Sequence, residues 1–286
     1  DFLVNGDADT IRYDLDEVST MGETVVDGDL ELLDVDVMGS VVGAISVTGN
    51  VLDTADFDAG PFGLQESLLG GFSVGGKIDN LFIDLGDTRG LEAVMPPVPG
   101  MGDVTIGGES NNVDINLDNS ILGDLSFGKD DASDTAVFDF DIDGAPPSFF
   151  GTDEQVGDMS FYGKVNYDPI EDDSNLSLND LEVVGDILVT VGDLEVDDLE
   201  PGVVLGGIEV PDGSLVLNDT DVGLGGLGDI LVDGDILFPD DFVMDPDAEG
   251  GSIESLNGDI DFQDLILGEG ATLGDITAKN GDITVN

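Results

Sequence analysis

Apolar and polar residues alternate in short runs along most of this chain. "LELLDVDV" from Leu30, "NVDINLD" from Asn112 and "GSLVLND" from Gly213 each repeat with a period of two. That period predicts strands with one face buried and one face in water. "VFDFDIDG", Val137 to Gly144, keeps the alternation but fills its polar face with aspartate, a poor strand former. Helical spacing is rare. The best short candidates are "FGLQESLLGGF", Phe62 to Phe72, and "TRGLEAVM", Thr88 to Met95.

One phrase recurs: glycine, aspartate, apolar, any residue, then usually apolar. It occurs at Gly28, Gly102, Gly123, Gly157, Gly185, Gly192, Gly228, Gly234, Gly258, Gly274 and Gly281. Glycine and aspartate favour turns, so each occurrence reads as a turn followed by a strand. Gly185 and Gly192, Gly228 and Gly234, and Gly274 and Gly281 lie six or seven residues apart; the remaining gaps run from 16 to 74. A solenoid would show a fixed period. The pattern therefore predicts an all-β protein, an antiparallel β-sandwich or roll with many hairpins, with a β-solenoid as the alternative. The expected organisation is one continuous domain, 1–286, with "VMPPVPGMG" at 94–102 as a break point. "GLGGLGD" from Gly223 fits a dinucleotide-binding spacing, but a strand pattern follows it where a helix is needed, so it reads as a glycine-rich turn.

Charge changes this picture. The 286 residues hold 65 acids and 6 bases, a formal net charge of −59, while 40% of the residues are apolar. Such apolar content argues for a packed core rather than a disordered acidic tail. Spread over a folded surface, the excess charges stand about 14 Å apart, beyond the screening length at physiological salt but well inside it at low salt. Self-repulsion then calls for compensating cations. Aspartate outnumbers glutamate by 50 to 15. Short carboxylates in loops are the usual hard-oxygen ligands of calcium, and Ca2+ is the expected cofactor.

Three clusters suit such an ion. Asp139, Asp141, Asp143 and Gly144 match the opening of a calcium loop, although Phe150 stands where its last ligand should be. "YDPIEDDSN" offers Asp168, Glu171, Asp172 and Asp173, and "PDDFVMDPDAE" offers Asp240, Asp241, Asp245 and Asp247. Each also reads as a solvated acidic loop. Cysteine, histidine and tryptophan are absent. Disulfides and the usual thiol- or imidazole-based catalysis are thereby excluded, and no enzyme is expected. Nucleic acid and anionic membranes should be repelled, and no run of apolar residues is long enough to insert in a bilayer.

The segment "LGDITAKNGDITVN" near Gly274, echoed by "VVGDILVTVGDLEV" from Val183, resembles repeats of filamentous-haemagglutinin-type adhesins and of bactofilins. The wider acidic, glycine-rich texture is similar to that of surface-filament subunits of marine bacteria. These resemblances imply β-rich fibres or polymers and carry over no functional residue. They lead to one expectation: a secreted surface protein, its signal already removed, that assembles with itself into a filament, sheath or layer. Calcium would stabilise it, and strand exchange through "DFLV" or "GDITVN" would join the subunits. The alternative is a monomeric calcium-dependent adhesin or carbohydrate-binding module, with surface polysaccharide as partner.

Overall fold

The computed structural model describes residues 1–15, 19–60, 67–86, 100–118, 120–128, 140–144, 155–162, 176–179, 183–197, 204–218, 220–223 and 226–286. They contain strands and no helix, and every strand pairing is parallel. The chain falls into two compact units, Asp1–Lys129 with Gly144–Val156, and Asp130–Asp143 with Gly157–Asn286.

Each unit is a β-solenoid, built from coils with a short side, a long side and a two-residue side. In the first unit the coil from Thr24 runs Thr24–Asp27, Leu30–Met38 and Val41–Val42. It then passes over itself as Ile45–Val47 and Val51–Gly60. The short sides stack in register, Thr24 on Ile45, Ile45 on Phe72, Phe72 on Val104 and Val104 on Leu125. The long sides stack likewise, Val35 on Phe57 and Phe57 on Ile83. In the second unit Ile187, Ile208, Ile230, Ile253 and Ile276 form one short-side column, and Leu194, Leu215, Ile236, Ile260 and Ile283 one long-side column.

Alternation fills the interior. On Leu30–Met38, Leu33, Val35 and Val37 are fully buried while the acids between them face outward. Inward columns of Val, Ile, Leu and Phe give each unit a continuous core, which is the main stabilising term. Aromatic rings join neighbouring sides. Phe57 meets Phe72 edge-on at 4.9 Å, and Phe238 stacks on Phe262 at 4.4 Å in successive coils.

The antiparallel sandwich is thus overturned, and the solenoid alternative is the fold found. The reason lies in what the glycine–aspartate phrase does. It turns the chain by a corner instead of reversing it, so each strand pairs with its counterpart one coil later. Two different corners use the same phrase. Gly185, Gly228 and Gly274 precede short sides; Gly192, Gly234 and Gly281 follow them. The six- and seven-residue spacings are therefore the lengths of the short sides Ile187–Val189, Ile230–Val232 and Ile276–Ala278 with their corners, not hairpins. Mixing the two corner classes hides the period, and so do unequal coils. Corner hydrogen bonds link residues 21 apart for Asp29 and Asn50 but 28 apart for Asp158 and Asp186. Within the first helical candidate, Leu68–Leu69 is a two-residue strand and Phe72 opens another. The second candidate, and most of 94–102, lie outside the described residues.

Corner glycines stack on one another, leaving no room for a side chain. A Cβ on Gly228 would stand 2.6 Å from the carbonyl carbon of Gly206, and one on Gly251 would stand 2.6 Å from that of Gly228.

Candidate functional site

Successive coils bring two kinds of carboxylate column together. The first runs along the corners. The carboxylate of Asp7 accepts the Asp29 amide at 3.0 Å, Asp29 accepts that of Asn50 at 2.8 Å, and Asn50 Oδ1 accepts that of Lys77 at 3.0 Å. The second unit has a like series of its own, from Asp193 to Ser214, Ser214 to Asp235, Asp235 to Asp259 and Asp259 to Asp282, at 2.8 to 3.1 Å. The other corner repeats the device: Asp103 accepts from Asp124, Asp158 from Asp186, Asp186 from Gly207 and Asp229 from Ser252. A corner amide points out of the sheet ladder and needs a partner. A one-methylene carboxylate reaches it from the coil before; glutamate would overshoot. This accounts for part of the aspartate excess without any metal.

The second kind of column lies on the outer face of the long side in the first unit. Asp14, Asp36, Asp58, Asp84 and Asn116 stand in register on five successive strands. Two residues before them stand Arg12, Asp34, Asp56, Phe82 and Asp114. Neighbouring strands are about 4.8 Å apart, so aligned carboxylates repel across each step. Arg12 relieves one position, its Nε standing 3.3 Å from Asp34. Asp56 has its pKa raised above the ordinary 3.8, first by burial and then by the charges of Asp34 and Asp58. In the second unit Asp221 is raised in the same way, by burial and then by Asp245.

The acids singled out in the sequence distribute differently. Asp139, Asp168, Glu171, Asp172 and Asp173 lie outside the described residues. Asp141 and Asp143 belong to the strand Phe140–Gly144, opposite Ser177 and Asn179. Asp240 and Asp241 lie on Ile236–Met244, where the register shifts, with Asp241 opposite Asp264. Asp245 and Asp247 follow in a turn closed by the Ala248 amide on the Asp245 carbonyl, with Asp247 at φ 65°. Because Val222 pairs with Met244, Asp245 follows that pair closely enough for its charge to act on Asp221. Among the described residues no group of three or more acids converges as a metal cage would. The outward columns were not legible as a site in the sequence, because register across coils decides them.

A groove of about 750 Å3 opens along the second unit beside the corner before its short side. Leu188, Leu231, Gly207, Gly228, Glu209 and Glu249 line it. Among the described residues, no helix is long and apolar enough to cross a membrane. Comparison of the chain with protein-family models, with curated proteins and with solved structures gives no match.

Proposed function

We propose that this chain is a structural protein of an extracellular surface, extending by coil-on-coil pairing between copies into a filament, sheath or layer. Calcium, shared along the outward carboxylate columns, stabilises it, and no catalysis is involved. One observation carries the reading. The strands of each coil pair in parallel and in register with those of the next, as Ile230, Ile253 and Ile276 do on the short side and Ile236 and Ile260 on the long side. Such a ladder makes each coil a template for another through main-chain hydrogen bonds.

Calcium fits the columns as a shared ion, because two aligned carboxylates supply part of its oxygen shell and water the rest. The test is a thermal melt followed by circular dichroism and light scattering. It compares EDTA, millimolar calcium, and sodium chloride matched in ionic strength. Calcium should raise both the melting temperature and the particle size. A particle that stays monomeric and gains no more from calcium than from sodium refutes the proposal. A calcium-stabilised monomer would instead favour an adhesin or carbohydrate-binding module.

A further inference from the structure

The short-side face of the second unit carries a column that alternates in chemistry. Leu188, Glu209, Leu231, Glu254 and Thr277 stand in register on successive strands, with their side chains outward. At Glu254 the chain supplies its own cation: Lys279 Nζ donates to Glu254 Oε1. Lys279 lies two residues beyond Thr277, the register partner of Glu254. The corresponding position for Glu209 lies two residues beyond Leu231 and is Asp233. Asp233 accepts a hydrogen bond from Asn257 Nδ2 at 2.7 Å. Where one glutamate of the column has a lysine, the other therefore has a further acid. Glu209 is exposed on the wall of the groove, between the half-buried Leu188 and the exposed Leu231.

We propose that this groove docks an extended, lysine-bearing segment of a partner protein. The aliphatic stem of the lysine lies across Leu188 and Leu231, and its ammonium reaches Glu209. Three features select this occupant. The floor is apolar and glycine-lined, which suits a carbon stem with a charged tip. The ionisable wall residues are acids; Asp186 and Asp229 each commit one carboxylate oxygen to a corner amide, of Gly207 and Ser252, so Glu209 and Glu249 are the wall acids best placed to take a ligand's charge. Unlike the aspartate columns, Glu209 has no aligned carboxylate across the ladder, its register neighbours being Leu188 and Leu231, so a bare divalent ion finds too few oxygens there. The Lys279–Glu254 pair shows the same recognition already at work two coils on.

The test uses the full chain and a short synthetic peptide alternating lysine with serine, at physiological ionic strength, read by amide chemical shifts and by fluorescence anisotropy. Saturable binding should shift Gly207 and Gly228. Glu209→Gln and Leu231→Ser should each weaken it about five- to tenfold, equivalent to roughly 1 kcal/mol or slightly more. Asp14→Asn, on the other unit, should leave it unchanged, and the acetyl-lysine peptide should not bind. The proposal is overturned if both groove variants bind as the natural chain does, or if the shifts spread equally over the outward aspartate columns. It is overturned equally if calcium chloride alone moves the same two glycines. Melting curves of Glu209→Gln and Leu231→Ser, both altered on an outward face, confirm that the fold is kept.

Discussion

Asp229 holds the next coil at Ser252 by two bonds, accepting its amide at 2.7 Å and its hydroxyl at 2.9 Å. Both bonds favour the ionised carboxylate and lower its pKa below the ordinary 3.8, the amide contributing most. A lowered carboxylate pKa stabilises the fold above the unfolded value, and the contribution is lost as pH falls through the folded value. Asp229→Ala should therefore lower the melting temperature at pH 7. The difference from the natural chain should shrink as the pH drops below 3.8. Ser252→Ala, which keeps the amide bond, should have the smaller effect.

The glycine corners give a steeper test. A Cβ at Gly213 would collide with the carbonyl oxygen of Gly192 in the coil before, and backbone cannot yield there as a flexible side chain could. At Gly86 the nearest atoms would be 3.9 Å away. Gly213→Ala should cost about 2–4 kcal/mol, while Gly86→Ala should be near neutral. Urea denaturation of the two variants measures the contrast; equal midpoints would remove the stacking argument.

These corners also explain what could be read from the sequence and what could not. Strand character was legible, since "LELLDVDV" buries Leu33, Val35 and Val37 and turns its acids outward as alternation requires. The recurring phrase was legible as a turn. Its sense was not, because a hairpin and a solenoid corner both call for glycine and aspartate, and only pairing partners separate them. Asp29 looks identical to Asp34 in composition, yet the first caps Asn50 and the second sits opposite Asp56 on the outer face. The period failed as a guide because coils differ in length and two corners share one phrase. The acid loop 167–175 lies outside the described residues, whereas the aligned columns join residues a whole coil apart in sequence, as Asp36 and Asp58 are.

Phe262 links the core of the second unit to register. Its ring stacks on Phe238 with an interplanar angle of 3°, and Phe242 meets both edge-on at 5.0 and 5.9 Å. All three are buried. Phe262→Ala should cost about 3–5 kcal/mol, and Phe262→Leu markedly less, because Leu refills most of the space. Calorimetry of the two variants distinguishes lost volume from lost ring stacking.

Asp56 supplies the opposite pH signature to Asp229. It stands in the column between Asp34 and Phe82, next to the column of Asp36, Asp58 and Asp84, and Arg12 is committed to Asp34. Burial and then the charges of Asp34 and Asp58 raise its pKa, so the folded chain holds this proton to higher pH than the unfolded chain. Its contribution is fully present below the unfolded value of 3.8 and is lost as pH rises through the folded value. Asp56→Asn should accordingly raise the melting temperature at pH 7, by roughly 1–3 °C after allowing for its exposure. At pH 3, where the natural side chain is protonated, the gain should vanish. Burial is the larger cause, so most of the gain should survive high sodium chloride, which screens only the part due to Asp34 and Asp58. A gain abolished by salt would mean that column repulsion outweighs burial; no gain at pH 7 would mean that bound cations already neutralise the column.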